Sequence, residues 1–357
     1  MTYNKVYTFF CRTKYKEKKI TEKKVRTNQA VLYALEDAMN ESPDVILMGE
    51  DIAVAGGPWK TSDGLLDKFG PERVIDTPIA EMGFMGMALG AACTGLRPVV
   101  EIMFVEFLGV AIDQLSTEAA KFRYLSGGEL TVPLVVRATT GAGLGFGAQH
   151  SQTLESWFYS TPGLKLAVVS NPQSAYGLLR SAINDNNPVV ILEPRSLFAN
   201  RDELIRGEEG IVPLGKAKII NEGSDVTIVG LGSTVESVKE ASKTIDASSE
   251  VIDLLTLIPW DRETIVESVK KTGRLVTVEE NPFSGGWGSE IISYVTSKCY
   301  KDLKAPPFRI TAPDTHIPFN EALEKRYLPS VQYIEDSINK YVSTNEVPQS
   351  WWEELEV

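Results

Sequence analysis

Five short apolar runs constrain this chain most: residues 45–48, 99–105, 133–137, 166–169 and 188–192. Each is too short for a helix and nearly continuous rather than alternating, which is the pattern of a strand buried on both faces. Stretches with apolar residues at helical spacing, 25–40, 110–124 and 174–183, lie around and between them. Strand and helix in alternation build a parallel sheet with helices on its faces. In open sheets of that kind ligands gather at the carboxyl ends of the strands, so the residues that follow each run are where chemistry is expected.

A second series, 225–229, 251–257 and 275–279, with helical spacing at 235–245 and 289–297, repeats the pattern on a smaller scale. At 357 residues the chain is too long for one ordinary core. We therefore expect two α/β domains with parallel sheets, 25–205 and 215–357, joined by a linker at 206–214 within a stretch, 201–214, that is charged and lacks periodicity. Nothing in the second series clusters like a catalytic site, so its expected work is assembly. Residues 1–24 stand apart, with eight Lys or Arg against two Glu, a balance of +6. The rest of the chain then carries −12 − 6 = −18. This basic arm reads as a disordered or solvated extension.

The acidic remainder argues against a nucleic-acid-binding surface, and there is no run of eighteen apolar residues to cross a membrane. The arm has two acids and no long apolar run, so it matches neither a secretory signal nor a transit peptide. Cys11, Cys93 and Cys299 are far apart and odd in number, which reads as a reducing, cytoplasmic setting. Cys93 is expected to be a small core residue.

Within Asp76-Thr-Pro-Ile-Ala-Glu81-Met-Gly, a single carboxylate stands at the mouth of an apolar helix. A helix dipole favours an acid there, and Glu81 as a mere cap is the plain alternative. Pro78, however, fixes the approach of the chain, and nearly everything after Glu81 is apolar. A carboxyl at the rim of an apolar layer is suited to proton exchange, which makes Glu81 the candidate catalytic group. The same helix is interrupted by Gly83, Gly86, Gly90 and Gly95, each worse than alanine by about 1 kcal/mol. Gly86 and Gly90 share a face, so another backbone can come close, either the chain's own sheet or a second subunit.

Other candidates follow the remaining runs. Gly49-Glu50-Asp51 ends the first, and Phe104 and Phe107 end the second, where a flat ligand ring would stack. Gly141-Ala-Gly-Leu-Gly-Phe-Gly147 lacks the spacing of a dinucleotide fingerprint or a phosphate-binding loop. It is expected to be a mobile loop lying over a substrate. It leads to His150, one of only two histidines, and a histidine placed there can give or take a proton near neutral pH. The other, His316, lies in a Pro-rich turn and reads as structural. Asp185-Asn-Asn-Pro188 is explained by turn chemistry, with a bound cation as the alternative.

These residues also carry a resemblance. Gly49-Glu-Asp51, Asp76-Thr-Pro-Ile-Ala-Glu81-Met-Gly, Gly95-Leu-Arg-Pro98, Gln149-His-Ser-Gln152, Pro162-Gly-Leu-Lys165 and Asp185-Asn-Asn-Pro188 run in order through most of the chain. From about Val25 onward it resembles the beta subunit of the thiamine-diphosphate-dependent component of 2-oxoacid dehydrogenase complexes. That family includes pyruvate, branched-chain and acetoin dehydrogenases. The resemblance implies a transketolase-like fold, a pyrimidine-binding α/β domain followed by a smaller C-terminal α/β domain. It implies that Glu81 hydrogen-bonds N1′ of the aminopyrimidine, where a shared proton favours the imino tautomer that activates the thiazolium. By the same resemblance Phe107 stacks on the pyrimidine with Met103 beside it. His150 orders the substrate and handles protons as the acyl group passes to lipoamide. Leu134, Ala182, Ile183, Asp185 and Asn187 match a structural potassium site made mainly of backbone oxygens.

This cofactor's diphosphate and magnesium are usually held by a Gly-Asp-Gly segment with a later Asn, and no Gly-Asp-Gly occurs here. The resemblance therefore implies an alpha chain that holds the magnesium and completes the site in a two-alpha, two-beta heterotetramer. It also implies that the C-terminal domain binds the lipoyl acyltransferase core. The reading that follows is decarboxylation of a 2-oxoacid of the pyruvate type, with acetoin as the alternative substrate. Phe107, where branched-chain members often carry Tyr, disfavours that branch. A non-catalytic scaffold subunit is the remaining alternative.

Overall fold

The structure is a computed structural model and describes residues 20–353, so residues 1–19 of the basic arm lie outside the described residues. Its first strand, β1 (Ile20–Arg26), runs straight into α1 (Thr27–Glu41). Neither Thr27 nor Asn28 caps this helix. Gln29 Oε1 reaches back to accept the Arg26 N–H at 3.1 Å instead. β2 (Val45–Gly49), α2 (Leu65–Phe69), β3 (Val74–Asp76), α3 (Glu81–Cys93) and β4 (Arg97–Ile102) follow. Next, α4 (Leu108–Ile112) continues through a π-helical stretch, Asp113–Ala119, into α5 (Ala120–Leu125). β5 (Val135–Thr140), α6 (Ser156–Tyr159), β6 (Lys165–Val168), α7 (Pro172–Asn184), β7 (Val189–Pro194) and β8 (Arg201–Arg206) complete the first half.

The second half comprises β9 (Lys218–Asn221), β10 (Val226–Gly230), α8 (Thr234–Ala241), β11 (Ser249–Asp253), β12 (Thr256–Ile258) and α9 (Arg262–Thr272). After these come β13 (Leu275–Pro282), α10 (Gly288–Cys299), β14 (Phe308–Ala312), α11 (Glu321–Tyr327) and α12 (Val331–Thr344).

The larger sheet has the order β12-β6-β7-β5-β4-β2-β3 and the smaller one β14-β13-β10-β11-β9. All of β2 to β7 run parallel, and every residue of β2, β5 and β7 is buried, as continuous apolar runs require. The larger sheet is finished by β12, which comes from the second half and pairs antiparallel with β6. A single apolar core accordingly runs from Phe84 and Val100 to Leu254, Trp260 and Ile265.

Three charged side chains interrupt that core and pair with one another, leaving only Glu101 Oε1 of their polar atoms buried without a partner. Arg137 donates through Nε to Glu193 and through Nη1 to Glu101, both at 2.7 Å, with all three residues buried. Removing one partner would strand a buried charge at a cost of about 3–5 kcal/mol.

Three expectations change here. The charged stretch that looks aperiodic after residue 200 begins as β8, paired antiparallel with β1. It hides its period because only Leu204 is anchored in the core while its neighbours stay exposed or half-buried. Cys93 is half-buried at the end of α3, not a core residue. The third change, to the loop after β5, belongs with the site.

Candidate active site

Because β2, β3, β4, β5 and β7 are parallel, their carboxyl ends share one edge of the sheet. That edge brings together Glu50 and Asp51 after β2, Glu81 after β3, Met103 to Phe107 after β4, His150 in the loop after β5, and Arg195 after β7.

Glu81 is the first residue of α3 and only 9% exposed. Among the described residues no donor pairs with its carboxylate. Glu50 faces it: burial raises the Glu50 carboxyl above the ordinary carboxylate range, and the charges of Glu81 and then Asp51 raise it further. Glu50 Oε1 is itself buried without a partner. Burial and these two neighbouring charges all favour the protonated form of Glu50.

His150 is held by rings. Phe104 stacks on its imidazole at 4.7 Å between centroids and 23° between planes, and Phe107 meets it edge-on at 5.5 Å. Phe146 and Trp59 extend the aromatic wall. Met103 is half-buried beside them, and its carbonyl accepts from Thr139 Oγ1 at 2.5 Å.

Arg195, which no sequence pattern singled out, ties this wall to the loop. Its guanidinium lies over Phe104 and Phe146, at 5.1 and 5.3 Å from the ring centroids. It donates to Thr139 Oγ1 at 3.1 Å, to Gly141 O at 2.6 Å and to His150 O. Glu106 closes the other side by accepting the Gln152 N–H at 2.7 Å.

The glycine loop is clamped by the second half of the chain. Gly141, Gly143, Gly145 and Gly147 all have φ between +69° and +101°, which lets successive N–H groups converge. Glu324 of α11 accepts from Gly143 N and Gly145 N, both at 2.9 Å, and Glu280 of β13 accepts from Ala142 N. Both acids are buried. The expectation of a mobile loop over the substrate is thus corrected to a fixed one, and the C-terminal half contributes to the site after all. Only the Glu279-Glu280 pair in an apolar strand could have signalled it. His316, by contrast, is exposed.

The oxygens matched to potassium are already engaged. Arg97 Nη1 donates to Ile183 O at 2.8 Å and Asp185 O at 3.1 Å, while Leu134 O accepts from Val189 N and Ala182 O from Asp185 N. Lys165 pairs with the Asp185 carboxylate, and Asn187 Oδ1 accepts from Arg123 at 2.7 Å.

The glycines of α3 do not pack on the chain's own sheet. A Cβ at Gly90 would meet no atom within 4 Å, and Met82 and Met87 on the same helix are 56% and 53% exposed. The close-approach face is open at Gly90, whereas a Cβ at Gly86 would meet Gln114 Cγ of the π-helical stretch at 3.8 Å.

A transketolase-like enzyme subunit is what the parallel sheet, its acidic edge and the companion domain define. Residues 23–200 match the pyrimidine-binding domain of transketolase and 215–334 its C-terminal domain. The chain belongs to the family of E1 beta subunits of pyruvate and other 2-oxoacid dehydrogenase complexes, catalytic subunits of thiamine-diphosphate-dependent enzymes.

It is 43% identical over 318 residues to the mitochondrial pyruvate dehydrogenase E1 subunit beta-2 of Oryza sativa, covering 87% of this chain and 85% of that one. To the 2-oxoisovalerate dehydrogenase subunit beta of Dictyostelium discoideum it is 40% identical, covering 89% and 87%. To the acetoin:2,6-dichlorophenolindophenol oxidoreductase subunit beta of Bacillus subtilis it is 41% identical, covering 86% and 94%. Among solved structures, a split-gene transketolase described as an inactive beta4 tetramer superposes with a TM-score of 0.69 at 25% identity, covering 90% of this chain and 99% of that one.

Proposed function

We propose that this chain is the beta subunit of a pyruvate dehydrogenase-type component. With an alpha chain it decarboxylates a 2-oxoacid and passes the acyl group to lipoamide. The observation that carries the reading is the Glu50–Glu81 pair: a buried carboxylate without a donor, opposite a second carboxyl, at the mouth of α3. A ring nitrogen able to share a proton is the partner such a carboxylate lacks, and the aminopyrimidine of thiamine diphosphate has one. When bound, that cofactor supplies the electron sink for decarboxylation.

The chain's own residues do the rest. Glu81 holds the proton at the pyrimidine nitrogen, and Glu50 faces it from the end of β2. Met103 and Phe107 give the ring an apolar seat. His150, oriented by Phe104 and Phe107, moves protons at the reacting end. The diphosphate and magnesium are left to the alpha chain, and the exposed face of α3 with Met82 and Met87 is a surface for such a partner. The C-terminal half is the expected seat of the acyltransferase core. Potassium at Leu134, Ala182, Ile183, Asp185 and Asn187 has the least support, because Arg97 and Lys165 already place two positive charges on that cluster.

Acetoin is the second substrate reading, favoured by the likeness to the acetoin enzyme's beta subunit. The test is to purify this chain with the chain that accompanies it and assay pyruvate, branched 2-oxoacids and acetoin. Turnover of pyruvate by the pair and of nothing by this chain alone is expected. Turnover by this chain alone, without thiamine diphosphate, would overturn the reading.

A further inference from the structure

The aromatic turn that holds His150 contains a group to which the mechanism above assigns no role. Glu106 lies between Phe104 and Phe107, the two residues whose rings contact the imidazole. One of its oxygens, Oε1, accepts the Gln152 N–H at 2.7 Å, two residues beyond His150. The other, Oε2, is buried without a partner. A carboxylate oxygen left so in a cleft is uncommon and costly unless a neighbouring charge compensates it.

Two charged or titratable neighbours face it, the Arg195 guanidinium from the end of β7 and the His150 imidazole from the loop after β5. Arg195 in turn faces Glu106, Glu280 and Glu324. Glu280 is committed to Ala142 N and Ser233 Oγ, and Glu324 to the N–H groups of Gly143 and Gly145. Arg195 itself is fixed on Gly141 O, Thr139 Oγ1 and the backbone oxygen of His150. A permanent positive charge therefore sits on the backbone of the residue that has to carry a proton. That charge opposes an imidazolium. Burial raises the Glu106 carboxyl, but the Gln152 N–H and the facing Arg195 and His150 pull it back down, and its negative charge offsets the guanidinium beside the imidazole.

We propose that Glu106 is the counter-charge of His150, a positioning residue that holds the loop at Gln152 and keeps the imidazole able to carry its proton during acyl transfer. The inference rests on the role given to His150 in the proposed function.

The test uses the intact complex with its alpha partner. Glu106→Gln keeps the size of the side chain and an oxygen for the Gln152 N–H, but removes the charge. Two activities are read: oxidative decarboxylation with an artificial dye acceptor, and acylation of a lipoyl domain. We expect dye reduction to stay within about 2-fold of wild type while the kcat for lipoyl acylation falls about 10-fold or more. The basic limb of the acylation pH profile should move to lower pH, because the variant removes a negative charge that favours positive charge beside it. Glu106→Asp should restore part of the rate and move the limb back. An unchanged acylation rate and profile overturns the proposal, as does an equal fall in both activities with the profile unmoved. A wild-type complex inactive in both assays overturns the function itself, and the proposal with it.

Discussion

Phe104 lies nearly parallel to the imidazole of His150, 23° apart in plane and 4.7 Å between centroids. Stacking of this kind fixes the tilt of the ring while leaving its nitrogen positions to other partners, so it orients His150 for proton transfer. In His150→Ala, thiamine diphosphate binding to the complex should be kept and acylation of a lipoyl domain should fall about 100-fold or more. Calorimetric cofactor binding beside the acylation rate checks this, and a variant that no longer binds the cofactor would refute the proton-handling role. Phe104→Leu, which keeps bulk but loses the stacked face, should weaken acylation by a smaller factor, in line with about 1 kcal/mol for an aromatic pair.

The open face of α3 gives a prediction in which stability and assembly part company. A Cβ at Gly90 meets no atom of the chain within 4 Å and leucine is the better helix former, so in Gly90→Leu the isolated chain should gain up to about 1 kcal/mol. The same side chain stands where a neighbouring backbone is expected to approach. Thermal melting of the chain alone should rise or hold, while size-exclusion chromatography with the alpha chain should show weakened assembly. Normal assembly of Gly90→Leu would show that this face is not the contact.

Much of this was legible in the sequence, and the limits have physical causes. The runs at 45–48, 133–137 and 188–192 could only be doubly buried strands, and parallel order then placed Glu50, Glu81, Phe107 and His150 on one edge. The roles of Arg195, Glu106, Glu280 and Glu324 were not legible. Each bonds backbone groups between Gly141 and Gln152, and a backbone N–H or carbonyl has no residue type to read. For the same reason the loop looked mobile: four glycines permit mobility, but with positive φ they also let a carboxylate bind several N–H groups at once.

That clamp can be tested directly. Glu324 is 1% exposed and accepts two N–H groups. Its truncation in Glu324→Ala should cost about 2–3 kcal/mol, since both bonds are made to a charged, buried acceptor. Limited proteolysis should then cut between residues 141 and 152, and acyl transfer should fall with it. A loop that stays resistant would show that Glu280 and Arg195 suffice.

Asp253 supplies a pH prediction. Burial pushes its carboxyl up to about 7 from an ordinary 3.8, against the opposing pull of Ser170 Oγ and the Leu255 N–H. With the folded value above the unfolded one, the contribution to stability is intact below about pH 4 and is lost as pH rises through about 7. Asparagine cannot ionise, yet it can still accept from Leu255 N and donate to Ser170 Oγ. Asp253→Asn should therefore melt a few degrees above wild type at about pH 8.5, with the gap closing by about pH 4. An advantage that persists unchanged in acid would show that ionisation of Asp253 is not its cause.

The central claim is that Glu81 exchanges a proton with the cofactor's pyrimidine in a cleft completed by a second chain. The direct measurement is the rate of substrate decarboxylation by the assembled complex carrying Glu81→Gln, with assembly and thiamine diphosphate binding measured on the same sample. The account predicts a correctly assembled, cofactor-binding complex whose decarboxylation is reduced about 100-fold or more. Turnover at the wild-type rate would contradict it and leave Glu81 as the cap of a helix.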